Sequence, residues 1–144
     1  MTKDIFQTIQ TKISELHKNL TLLKIVSADI TQSNLKEDMI KYWGIERGLQ
    51  ISIECIIDIA NIIISSLDVQ KPDTYKESII ELAKHNIIPG KFSDKIANMV
   101  SFRNILVHDY MKIDEKIMVK ILRNNLDDII KFADYINKWI SKNY

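Results

Sequence analysis

The sequence predicts an all-α protein, an antiparallel helical bundle of about five helices forming a single domain over residues 1–144. Three observations lead there. Only three Gly and two Pro interrupt 144 residues, which leaves few places to turn and favours long helices. Apolar residues recur at spacings of three and four along most of the chain. No stretch alternates as a half-buried strand would, and no internal repeat, low-complexity tract or linker divides the chain. With 46% hydrophobic and 27% charged residues, the chain has the composition of a globular domain able to bury a core.

The first helix is predicted from about Asp4 to Ile30, because Ile5, Ile9, Ile13, Leu16, Leu20 and Leu23 are spaced by three and four. The second starts near Asn34 and continues to Leu67. Its segment from Ile51 to Leu67 is apolar enough to raise the question of a membrane span. Glu54, Asp58, Asn61 and Ser65, however, all fall within about 40° of Arg47 on a helical wheel. Two carboxylates in one stripe mark a soluble amphipathic helix, so no membrane is expected. Pro72 and Asp73 break the chain, and Tyr75 to Lys84 forms a short third helix that Pro89-Gly90 terminates. A fourth helix covers about Phe92 to Val107. The fifth opens at Asp114, a suitable N-cap whose flanking Ile113 can staple onto Met118. Leu122, Leu126, Ile129, Ala133, Ile136 and Ile140 carry it to the end of the chain.

The net charge of +1 provides no global basic field, so any nucleic-acid role rests on a local patch. Cys55 is the only cysteine. That excludes an internal disulfide and, with a first segment lacking an apolar signal region, places the chain in the cytoplasm. Cys55 itself reads as core, His17 and His85 as solvated surface, and Gly44 and Gly48 as a site of close helix packing. Three scattered His and one Cys give no metal-ligand spacing, so no metal site is expected. There is no glycine-rich phosphate loop and no Ser-x-x-Lys nucleophile. Glu54 and Asp58 have the spacing of an acid/base pair, but read more simply as a solvated stripe or as partners of Arg103.

The most informative stretch is Arg-Asn-Ile-Leu-Val-His-Asp-Tyr at residues 103 to 110. Arg103 falls in one helical stripe with Ile96, Met99, Val100 and Val107. A guanidinium in an apolar stripe needs a buried partner or a function. Asn104 and His108 share a different face with Ser101. Arg103 and His108 lie about 140° apart on a straight helix. They converge on one substrate only if the helix ends near His108, or if a second copy of the chain supplies the missing half. The fourth helix is also apolar nearly all round (Ile96, Met99, Val100, Phe102, Ile105, Leu106, Val107), which predicts a homodimer with this helix in the interface.

The octet resembles the signature of the HEPN toxins of the HepT type, in which Arg is followed by four residues, His, one residue and Tyr. Arg103, Asn104, His108 and Tyr110 match in residue type and spacing. Glu46-Arg47-Gly48-Leu49-Gln50, and the run from Tyr75 through Ile87-Ile88-Pro89 to Phe102-Arg103-Asn104, are similar to the family as well. The resemblance covers roughly residues 35 to 125. Ser101 departs from the small residue, often Gly, that such toxins carry there.

The resemblance implies a HEPN-like fold and the toxin component of a type VII-like toxin–antitoxin system. It implies a metal-independent endoribonuclease acting on tRNA or mRNA, with Arg103, Asn104 and His108 as catalytic residues of a composite site at a homodimer cleft. Arg47, Glu54, Asp58 and Ser101 stand as candidate supporting groups. The partner would be a minimal nucleotidyltransferase antitoxin that uses ATP and magnesium to transfer AMP to Tyr110; the chain itself would need no cofactor. The alternative is a catalytically silent helical partner, or a nucleotide-binding subunit, of a nucleotidyltransferase. There Arg103 would pair structurally with Glu54 or Asp58, and His108 would merely cap a helix.

Overall fold

The computed structural model describes residues 1–108 and 113–144. Among them every regular element is helical, as the periodicity requires. The first helix, α1 (Lys3–Val26), opens where the Thr2 hydroxyl accepts the Ile5 N–H at 3.2 Å. It stops four residues short of the predicted end, and the second helix begins later than Asn34. Asn34 is the reason for both differences. Its Oδ1 accepts the Thr31 N–H at 2.7 Å and its amide donates to the Asp29 carbonyl at 2.9 Å, so it ties residues 29–34 into turns instead of starting a helix. The second helix, α2 (Met39–Ser66), starts at an N-cap, Asp38, which accepts the Lys41 N–H at 3.1 Å.

By length and composition α2 could cross a membrane, yet it forms the centre of the bundle. It packs on α1 and on the helices introduced next, and Leu49, Ile53, Ile56, Ile59, Ala60 and Ile63 are fully buried along it. The two glycines behave differently. A Cβ on Gly48 would lie 2.9 Å from Leu23 Cδ2, so its bare backbone is what lets α1 close on α2. Gly44 has open space instead, which corrects the expectation of close packing there.

The third helix, α3 (Tyr75–Lys84), has the predicted bounds and is capped by Thr74, whose hydroxyl accepts the Glu77 N–H at 3.1 Å. Beyond it Asn86 adopts φ 57°, a left-handed conformation that Asn tolerates, and the Ile87 N–H returns to the Leu82 carbonyl at 3.0 Å. That tight exit folds the fourth helix, α4 (Gly90–Val107), back along α3. It begins two residues before Phe92, because the Pro89 carbonyl already accepts the Ser93 N–H.

The final helical run is α5 (Glu115–Lys120), a π-helical turn (Ile121–Asn125) and α6 (Leu126–Asn143). Asp114 caps it as expected, and Ile113 and Met118 are both buried, consistent with the staple. The π turn escaped the sequence reading because Met118, Leu122 and Leu126 are each four apart, an interval that also fits an α-helix. It presents Arg123 to the Ile30 carbonyl, which ties the last helical run to the connection between α1 and α2. Leu126, Ile129, Phe132, Ala133, Ile136 and Ile140 bury one face of α6 against the bundle.

Candidate active site and the relatives of the chain

The candidate site forms at the C-terminal half of α4. Ile96, Met99, Val100, Phe102 and Leu106 turn into the protein's own core, Ile105 is half-buried, and Ser101, Asn104, Val107 and His108 face solvent. The bundle therefore hides most of the apolar surface that had suggested an intermolecular role. That burial comes from α2, α3 and α6, and only Val107 and the half-buried Ile105 remain as apolar surface of the α4 end for a second copy to meet.

Arg103 is three-quarters buried and finds the partner its position demands. Its Nη2 donates to Glu54 Oε1 at 3.2 Å, and the same oxygen accepts the Gln50 amide at 3.1 Å. The guanidinium carbon lies 5.7 Å from the centroid of the Tyr75 ring. The Arg103 Nε is fully buried and has no acceptor among the described residues. Glu54 and Asp58 have different partners, since Asp58 reaches across to Lys12 of α1 at 3.2 Å. Arg47 is exposed one helical stretch earlier.

Asn104 follows on a different face. Its carbonyl accepts the His108 N–H at 3.3 Å, while its side chain and Ser101 line a cleft of about 680 Å³. The Ser101 hydroxyl donates to the Ala97 carbonyl at 3.1 Å, which leaves its lone pairs directed outward. His108 is the C-cap of α4. At φ −97° and ψ 76° it departs from the helix, so the first condition for bringing it toward Arg103, a helix that ends beside it, is met. Tyr110 lies outside the described residues.

The cleft is bounded by α4, the N-terminal turn of α3, the C-terminal half of α2 and the connection between α2 and α3. Sequence reasoning missed its other walls, including Asn61, Lys71 and the exposed Tyr75. Tyr75 carried one readable signal, since it is a large aromatic at the first position of a capped helix, where burial is not required. Elsewhere, Cys55 is buried as expected, and burial pushes its thiol pKa up. His85 caps α3 and meets Glu81 at 3.2 Å. Among the described residues no three His, Cys, Asp or Glu side chains cluster as a metal ion would need.

The family model described as Ribonuclease HepT-like matches residues 16–136. The chain belongs to the HepT-like ribonucleases. The match extends on both sides of the stretch in which the sequence resemblance was seen. A Shewanella oneidensis protein named mRNA nuclease HepT is 32% identical over 125 residues, 87% of this chain and 92% of its own length. A tRNA nuclease HepT from Aphanizomenon flos-aquae is 30% identical, covering 92% of this chain and 89% of that one. Among solved structures, the tri-AMPylated Shewanella oneidensis HEPN toxin in complex with its MNT antitoxin superposes with a TM-score of 0.83 at 31% identity. That similarity covers 95% of this chain and 99% of the other. The all-α bundle expected from periodicity is thus the HEPN fold.

Proposed function

We propose that this HepT-like ribonuclease is the toxin of a toxin–antitoxin pair, a cytoplasmic endoribonuclease that cleaves mRNA or tRNA without a metal cofactor. The observation that carries the reading is the end of α4. Arg103 and Asn104 project from its last turns, and His108, directly after the last helical residue Val107, leaves the helix in an exposed position. Full-length similarity to two named nucleases supports the same reading.

The chemistry follows from the residue types. RNA carries its own nucleophile, the 2′-hydroxyl. One His108 accepts the 2′-hydroxyl proton, O2′ attacks phosphorus, and the P–O5′ bond breaks, leaving a 2′,3′-cyclic phosphate and a 5′-hydroxyl. An imidazole suits both proton transfers, since unperturbed His titrates at about 6.5. Arg103, always protonated and forked, stabilises the charge that builds on the phosphoryl oxygens. Asn104 orients the phosphate. A second copy of the chain across a two-fold axis supplies the second His108, which returns the proton to O5′. AMP transferred to Tyr110 by a nucleotidyltransferase antitoxin, using its own ATP and magnesium, would add bulk and negative charge where RNA must enter.

Two observations favour the silent-partner reading. Arg103 pairs with Glu54, and His108 caps α4, as a purely structural role requires. One experiment separates the two. Purified protein is incubated with total RNA in EDTA beside Arg103→Ala and His108→Ala, with melting temperatures and light scattering recorded for each. The ribonuclease reading expects cyclic-phosphate ends from a dimeric wild type and none from either variant. It also expects His108→Ala to keep its RNA affinity. No cleavage by the wild type, or a mass near 16.8 kDa at micromolar concentration, would overturn the composite site.

A further inference from the structure

We propose that the cleft between α2, α3 and α4 is a nucleotide subsite that receives one unstacked base of single-stranded RNA beside the scissile phosphate and sets the base preference of cleavage. The proposal rests on the ribonuclease reading above, because it extends the same site. Four features point to a nucleotide. The volume of about 680 Å³ suits a base with its sugar, and the cleft opens beside Asn104, which ties it to the candidate catalytic residues. Tyr75, 46% exposed as a residue, lines it and carries the Arg103 guanidinium near its ring. An aromatic ring held in place by a cation at the mouth of a polar cleft is a stacking platform for a base.

The polar lining fits the edge of a base. Asn61 Oδ1 is taken by the Ser78 hydroxyl at 3.0 Å, so its amide N–H groups remain as donors. The Ser101 hydroxyl, already donating to Ala97, offers lone pairs. Donors on one wall and acceptors on another can distinguish bases, which an apolar pocket cannot do. Finally, Lys71 and Lys76 line the same cleft and are exposed, where they can meet the adjoining phosphates. The net charge of +1 means that RNA must be held by such local cations.

Binding can be measured without cleavage by using 2′-O-methyl RNA ten-mers of U, A, C and G, which lack the nucleophile. The wild-type protein should bind the four with different affinities. Tyr75→Leu should weaken binding about ten-fold, the effect of losing one base–aromatic stack, while Tyr75→Phe should hold it. Asn61→Ala should narrow the differences among the four oligomers and, in a cleavage assay, broaden the bases found at the cut. Circular dichroism melts establish that each variant is folded. Tyr75→Leu binding as tightly as wild type would overturn the subsite. So would Tyr75→Leu that keeps its RNA affinity but loses capture of the nucleotidyltransferase, which would assign the cleft to the protein partner. A wild type that binds with base preference but never cuts would instead leave the subsite standing and sink the ribonuclease reading.

Discussion

Replacing Glu54 by Gln tests how Arg103 is held in the free protein. Glu54 Oε1 accepts from both Arg103 and Gln50, and the two side chains of the ion pair are 34% and 25% exposed. Gln retains the size and one carbonyl acceptor, so the hydrogen bonds persist while the charge attraction is lost. For a pair this open to water the loss is about 1 kcal/mol at most, because solvent screens it and ordering two side chains offsets part of the gain. In a chain of this size that lowers the melting temperature by roughly 2–4 °C. The same 1 kcal/mol reappears with opposite sign in RNA binding. A phosphate that takes Arg103 must compete with Glu54, and without that competitor RNA should bind up to about five-fold more tightly. Fluorescence anisotropy with a 2′-O-methyl oligonucleotide at ionic strengths of about 0.01, 0.1 and 1 M is the assay, since the gain should shrink as screening grows. Unchanged or weaker binding at low salt would refute the competition and mark Glu54 as a positioning group that RNA never displaces.

The two glycines of α2 should respond with opposite signs. Gly44→Ala meets nothing within 4 Å and should stabilise the protein by about 0.5–1 kcal/mol through helix propensity. Gly48→Ala must push Leu23 aside, and its overpacking of about 1–3 kcal/mol should cancel or exceed the same gain; urea titration compares them. Cys55 should react with Ellman's reagent at pH 8 only on unfolding, because burial blocks access and keeps the thiol protonated. Since its folded pKa is raised, the stability it contributes is present at neutral pH. That contribution is lost as pH climbs past the unfolded value near 9.0. After co-expression with the nucleotidyltransferase, AMP should appear on the Tyr110 peptide. A Tyr110→Phe toxin that is still fully silenced would mean that inhibition works by masking.

The sequence made helices legible where a break or a capping side chain marked their ends, as at Pro72-Asp73 before α3 and Asp114 before α5. It failed where a polar side chain did something local. Asn34 looked like the start of a helix and instead organises turns through its own amide, a competition that a periodicity count cannot register. The apolar residues all round α4 call for burial, and the bundle itself covers most of them. Periodicity shows which residues seek burial, and only the packing of α2, α3 and α6 determines how much of that surface is left over. The candidate site divides in the same way. Arg103 is legible as a cation in an apolar stripe and Asn104 and His108 through the spacing they share with it, whereas Tyr75 and Asn61 belong to the cleft only through packing between helices.

The π turn at Ile121–Asn125 makes the protein unequally tolerant of changes in length. A π turn accommodates one residue more than an α-helix needs between the same two faces. Losing one residue there, such as the exposed Asn124, would let the run from Glu115 to Asn143 relax into ordinary α-helix with both flanking faces still on their partners. Losing one residue further along, between Ile129 and Ile140, would rotate the rest of the helix by about 100° and swing Ile140 off the core. One-residue deletions among descendants of this chain should therefore gather within these five residues, where the loss leaves the bundle's axes and its candidate site undisturbed.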